Sequence, residues 1–127
     1  EACRIIHDRG ALIAGVTDGA NGSYFVWPDG TAYRCQPFPQ DHVVDTTGAG
    51  DSFHGAFLSK LAASIRQENA LHDEFIKPID ILQSLDHKQL ESAAIFASAV
   101  SALNTQGIGG RSALPSLETV RNLAGLE

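Results

Sequence analysis

Basic residues are scarce in this sequence. Nine Lys and Arg stand against 15 Asp and Glu, giving a formal net charge of −6. A nucleic acid is held by cations gathered along one face, so no nucleic acid is expected as a main partner. Long apolar runs are also missing. No stretch reaches the ~18 residues that a membrane-spanning helix requires, which argues against a membrane. The two cysteines, Cys3 and Cys35, lie far apart without metal-ligand spacing. They read as free thiols in a reducing cytoplasm. The opening Glu1-Ala2-Cys3-Arg4 lacks the shape of a secretory leader, so a cytoplasmic location is the expectation. No Gly-Lys-Ser/Thr occurs anywhere, which removes a Walker-type phosphate loop. What remains is ordinary globular chemistry: 127 residues, 43% hydrophobic and 19% charged, enough to bury a core.

The informative stretch runs from Val43 to Phe57. Val43 and Val44 read as the end of a strand re-entering a sheet. Thr46-Thr47-Gly48-Ala49-Gly50 then makes a tight turn, and a helix begins near Asp51. A glycine-rich turn entering a helix leaves backbone N–H groups unpaired, and the helix dipole adds partial positive charge there. Such a bend suits phosphate oxygens. Asp51 is out of place in a pure anion receptor. It can serve as a helix cap, or it can take a proton from a hydroxyl that attacks a bound phosphoryl group. The same bend fails as a dinucleotide fingerprint, because bulky Phe53 stands where close packing needs Gly or Ala.

Around this bend the pattern alternates between strand and helix. Glu1 to Arg9 reads as helix stopped by Gly10, and Leu12 to Thr17 as a buried strand. After the glycine turn Asp18 to Gly22 come two strands, Ser23–Trp27 and Thr31–Cys35, joined by Pro28-Asp29-Gly30. Pro37-Phe38-Pro39 is an extended connector. Phe53, Ala56, Phe57 and Leu61 share one face of the helix after Asp51, and His54 reads as exposed or packing. Residues 67–85 are polar and irregular, with Pro78 interrupting any long helix. Asp86 and Gln89 form a capping box before an alanine-rich helix from Leu90 to Leu103, whose small strip is Ala94, Ala97, Ser98 and Ser101. That strip suits plain helix packing. A glycine-rich loop, Asn104 to Arg111, precedes a last helix capped by Ser116. Arg111 reads as a solvated side chain.

Asp45-Thr46-Thr47-Gly48-Ala49-Gly50-Asp51-Ser52-Phe53 resembles the C-terminal signature of the ribokinase-like (PfkB) family of carbohydrate and nucleoside kinases. The resemblance implies an α/β fold, here the C-terminal part of a three-layer sandwich with a sheet flanked by helices and a β-hairpin near a nucleotide. It implies Asp51 as the catalytic base and the amides of Gly48, Ala49 and Gly50 as an anion hole. Thr17, Gly19 and Gly22 match a Thr-x-Gly-x-x-Gly pattern that borders the nucleotide, and Ser98 lies on the helix that flanks adenine. ATP and Mg2+ are implied, and a monovalent cation, potassium, is left open beside Asp45 and Thr47.

Two family features are missing. No Gly-Gly sugar-binding motif precedes the signature, and none of Asn21, Asn69, Asn104 and Asn122 is followed three places later by Glu. Residues 1–127 are therefore expected to be a single partial domain, the nucleotide-binding portion without the sugar-binding part or the lid. The expected activity is transfer of the γ-phosphoryl group of ATP to a hydroxyl of a sugar or sugar-like alcohol, with a homo-oligomer left open. The competing expectation is a non-catalytic nucleotide- or anion-binding fragment that needs its N-terminal half.

Overall fold

The structure is a computed structural model, and it describes residues 1–126. Helix α1, Ala2–Asp8, ends as expected, with Gly10 at φ +104°, a left-handed turn that costs a glycine no Cβ clash. Strands β1 (Ala14–Thr17), β2 (Ser23–Val26) and β3 (Ala32–Cys35) follow, antiparallel in the order β1-β2-β3. A single turn of 3-10 helix, Gly19–Asn21, joins the first two. The second pair closes through Pro28 to Gly30, where the Asp29 carboxylate accepts from the Thr31 amide at 2.9 Å.

Alternation along β2 divides the core. Phe25 and the adjoining Trp27, with Cys35 of β3, face one side. They meet Phe53, Phe57 and Leu61 of α2 (Ala49–Ala70) and Leu90, Ala93, Ala94 and Ala97 of α4 (His87–Asn104). Ala14 and Val26 face the other side, against Cys3 of α1. The result is helix, sheet, helix, an α/β arrangement of three layers. Trp27 stacks between Phe25 and Tyr33, at centroid distances of 4.7 and 5.5 Å. Each fully buried aromatic or aliphatic side chain of this kind contributes roughly 1.5–3 kcal/mol. The thiols of Cys3 and Cys35 are free and lie in different layers, and burial pushes the Cys35 thiol pKa up.

Two segments depart from the sequence pattern. β1, expected to be a buried strand, buries only Ala14, because among the described residues it pairs with β2 alone and its other edge is open. Val43 and Val44 do not re-enter the sheet. Both are more than half exposed, and the Val44 amide donates instead to the Thr105 carbonyl at 2.8 Å, no strand lying beside them among the described residues. Helix α2 begins at Ala49, two residues before Asp51, since Gly48 supplies the left-handed turn that starts it. Pro78 opens a short helix, α3 (Pro78–Ser84), at a position where its missing N–H costs nothing.

The capping box at Asp86 forms with both arms: Gln89 N–H donates to the Asp86 carboxylate at 2.8 Å and the Gln89 side chain accepts from the Asp86 amide at 2.9 Å. Ala94 and Ala97 are fully buried against α2, which is the packing role open to the small strip. Helix α5, Leu117–Ala124, starts at the Ser116 cap and buries Val120 under α4. Among the described residues no helix is long and apolar enough to cross a membrane.

One contact pins the hairpin to α4: His87 Nε2 lies 2.7 Å from Asp29 Oδ2. The Thr31 amide first, and His87 second, bring the Asp29 carboxyl from its ordinary 3.8 down to about 2. A depressed carboxyl stabilises the fold above its unfolded value, and that contribution is lost as pH falls through the folded one. Urea midpoints of the chain and of Asp29→Asn should therefore differ above pH 4 and converge as pH falls toward 2. A constant difference across that range would sink the assignment.

Candidate functional site

Four segments meet at one end of the molecule. The first is the bend before α2. Asp45 spans it: Oδ1 accepts from the Thr47 amide and Oδ2 from the Gly109 amide, both at 2.8 Å. The Thr47 hydroxyl and amide, then the Gly109 amide, hold the Asp45 carboxyl below the usual carboxylate range. Gly48 sits at φ +76°, and a Cβ placed on it would lie 2.6 Å from Gly110 Cα. The bend and the glycine-rich loop are thus in backbone contact, which only a glycine at 48 permits.

The amides at this bend divide. Ala49 N–H turns back to the Thr46 carbonyl at 3.2 Å. Those of Gly48, Gly50 and Asp51 have no backbone acceptor among the described residues. They stand at the positive end of a 22-residue helix. Asp51 is in the first turn, exposed, with no hydrogen-bond partner for its carboxylate among the described residues.

The second segment is the glycine turn between β1 and β2. Gly22, at φ +92°, would drive a Cβ to 2.2 Å from the Cys35 carbonyl oxygen. The third is the connector after β3, in which Phe38 packs on the cluster of Phe96, Val100 and Val120. Gln40 fastens this connector: its Nε2 donates to the Phe38 and Pro39 carbonyls at 3.2 and 3.1 Å, while its Oε1 accepts from Gln106 at 2.5 Å. The last turns of α4 make the fourth. Between them lies a cleft of about 550 Å³, within the range of small-molecule sites.

Thr17, Gly19, Gly22, Ala49 and Gly50 all line this cleft. Residues from two distant parts of the sequence are thereby brought together. Gly48 is tucked behind the wall against Gly110, and Asp51 stands one residue beyond Gly50. Ser98 is not on the wall. It is buried, and its hydroxyl donates to the Gln36 carbonyl at 3.3 Å. Ser101, Ala102 and Thr105 take the wall position instead, with Phe38 and Val43 opposite the glycine turn. The α4 set was within reach of pattern reasoning, because 98, 101, 102 and 105 follow helical spacing. The connector carried no such signal.

Asn104 lies beneath the glycine-rich loop and is fully buried. Its Nδ2 donates to the Gly110 carbonyl at 3.4 Å, and its Oδ1 has no partner among the described residues. No group of three or more His, Cys, Asp or Glu that could hold a metal ion occurs among the described residues.

The sequence pattern described as "pfkB family carbohydrate kinase" matches residues 1–117. The chain belongs to that family. It is 30% identical over 120 residues to a bifunctional ribokinase/ribose-5-phosphate isomerase A of Fructilactobacillus sanfranciscensis, covering 94% of this chain and 18% of that protein. It is 33% identical over 117 residues to a probable chloroplastic fructokinase-6 of Arabidopsis thaliana, covering 92% of this chain and 26% of that one. Among solved structures it superposes on a double-mutant fructokinase of Vibrio cholerae, in a form bound to fructose, ADP and a potassium ion. The TM-score is 0.68 at 23% identity, over 94% of this chain and 32% of that one. That last likeness shows the ribokinase-type fold. The chain spans 18% and 26% of the length of these two curated pfkB relatives, and about a third of the solved structure.

Proposed function

We propose that this chain is the nucleotide-binding and phosphoryl-transfer portion of an ATP-dependent kinase that acts on a hydroxyl of a sugar or related alcohol. The observation that carries the reading is the bend at Gly48–Asp51. The free Gly50 amide at a helix start borders a cleft shared with the Thr17–Gly22 turn, and the Asp51 carboxylate, without a partner among the described residues, stands in the same helical turn. ATP would lie in the cleft with its polyphosphate toward Gly50. The acceptor hydroxyl attacks the γ-phosphorus, the bond to the β–γ bridging oxygen breaks, and ADP leaves. Asp51 takes the hydroxyl proton as transfer proceeds, and later releases it to water.

Mg2+ would arrive with the nucleotide, since the described residues hold no carboxylate cluster for it; bound there, it spreads charge over the phosphate oxygens. The surroundings of Asp45 fit a monovalent cation such as potassium. The donors at Asp45, Thr47 and the 107–110 loop are hard oxygens, and Asn104 Oδ1 beneath that loop is buried without a partner among the described residues. A cytoplasmic enzyme with a sugar-like substrate fits this reading, with a homo-oligomer left open.

A second observation favours dependence on a companion portion. Among the described residues the outer edge of β1 is unpaired, and a groove of about 220 Å³ lies beside it, lined by residues that include Ile13, Gly15, Phe53, Phe57, Leu58 and Leu61. Leu58 is 62% exposed there. An open edge along an apolar groove is a surface that a further strand would complete. Single-turnover assays with radiolabelled ATP test both readings. The chain alone should bind ATP and phosphorylate no sugar above background, and turnover should appear when the N-terminal portion of the family fold is supplied. Transfer by the chain alone would refute the dependence. No transfer under either condition would refute the kinase.

A further inference from the structure

We infer that Ser101 is a positioning residue for the anion site: from α4 it orients and polarises the Gly50 amide at the start of α2. This rests on the anion role proposed for that bend. Ser101 Oγ donates to the Ala49 carbonyl at 2.8 Å, across 52 residues of sequence, and Ser52 Oγ donates to the same oxygen at 2.9 Å. The Ala49 C=O and the Gly50 N–H belong to one planar trans peptide unit, so they point in opposite directions. Fixing the oxygen fixes the N–H. That N–H has no backbone acceptor among the described residues, and Gly50 lines the cleft.

Two hydroxyl donors on the carbonyl also draw electron density through the amide, which strengthens its N–H as a donor to an anion. At its other end the Ala49 residue is tied by its own amide to Thr46. The two peptide units that flank Ala49 are each held before any ligand arrives, the following one by its carbonyl and the preceding one by its N–H, so binding an anion costs little reorganisation. Ser98 acts three residues earlier on the same helix, through the Gln36 carbonyl at the foot of the connector. Helix α4 thus sets the anion bend and the connector against each other, and Ser101 is the stitch nearest the phosphate end.

Isothermal titration of the chain, of Ser101→Ala and of Ser101→Thr with tripolyphosphate and with adenosine tests this. Ser101→Ala should weaken tripolyphosphate binding about 3- to 10-fold, the worth of one hydrogen bond, and weaken adenosine binding by a clearly smaller factor. Ser101→Thr, which keeps the hydroxyl, should restore tripolyphosphate affinity. In NMR spectra the Gly50 amide proton of Ser101→Ala should move upfield while signals from the distant hairpin stay in place. Equal tripolyphosphate affinities for the chain and Ser101→Ala overturn this inference alone. Parallel losses for both ligands also overturn it, since they report general loosening. If the unsubstituted chain binds no tripolyphosphate, the anion reading falls and this inference with it.

Discussion

Asp51→Asn, made in the complete kinase, is expected to cut turnover by about 10²- to 10⁴-fold, the usual worth of a positioned acid or base. Affinity for ATP should change by less than about 3-fold. The two expectations separate because of where Asp51 stands. Its carboxylate is exposed and engages no partner among the described residues, so asparagine removes no contact that holds the fold. Asparagine keeps the size of the side chain and a favourable place in the first turn of α2. What it loses is charge near the helix start, worth roughly 0.3–1 kcal/mol of stability, and the ability to take a proton. Steady-state kinetics with a coupled ADP assay would measure the first effect, and nucleotide titration the second. Turnover near that of the unsubstituted enzyme would remove Asp51 from the chemistry.

Gly48→Ala should damage the same bend by a different route, through the backbone. The residue stands at φ +76°, where a non-glycine residue costs roughly 1–2 kcal/mol. The added methyl would also lie 2.6 Å from Gly110 Cα, a main-chain atom that has no rotamer to escape into. Forced overpacking of this sort typically costs about 1–3 kcal/mol more. The loop must then retreat, taking Gly109 away from Asp45 and opening the bend. The expected outcome is a large fall in the urea midpoint together with loss of polyphosphate binding. Gly55→Ala is the control. Gly55 lies inside α2 with nothing within 4 Å of an added Cβ, so alanine there should stabilise by up to about 1 kcal/mol. Equal midpoints for the two variants would show that the contact between bend and loop is not what requires glycine at 48.

Locally decided features were legible before any coordinates. The hairpin follows from β-branched and aromatic runs on either side of Pro28-Asp29-Gly30. The start of α4 follows from Asp86 and Gln89, which satisfy each other's amides without help from the rest of the chain. The anion bend follows from glycines that enter an apolar-periodic helix. Its exact first residue, Ala49, is set by the left-handed turn at Gly48, which lies in contact with Gly110.

Distant contacts decided the rest. Val43 and Val44 have every intrinsic preference for a strand, but a strand exists only beside another, and the Thr105 carbonyl reached their segment first. Ser98 and Ser101 are the same residue type one turn apart, and nothing local distinguishes a buried stitch from a cleft wall. The rotation of α4 against α2 does, and that rotation is set by Ala94 and Ala97 packing under Phe53 and Phe57. Bond-by-bond preferences run out where a side chain's role depends on which way a packed helix is turned.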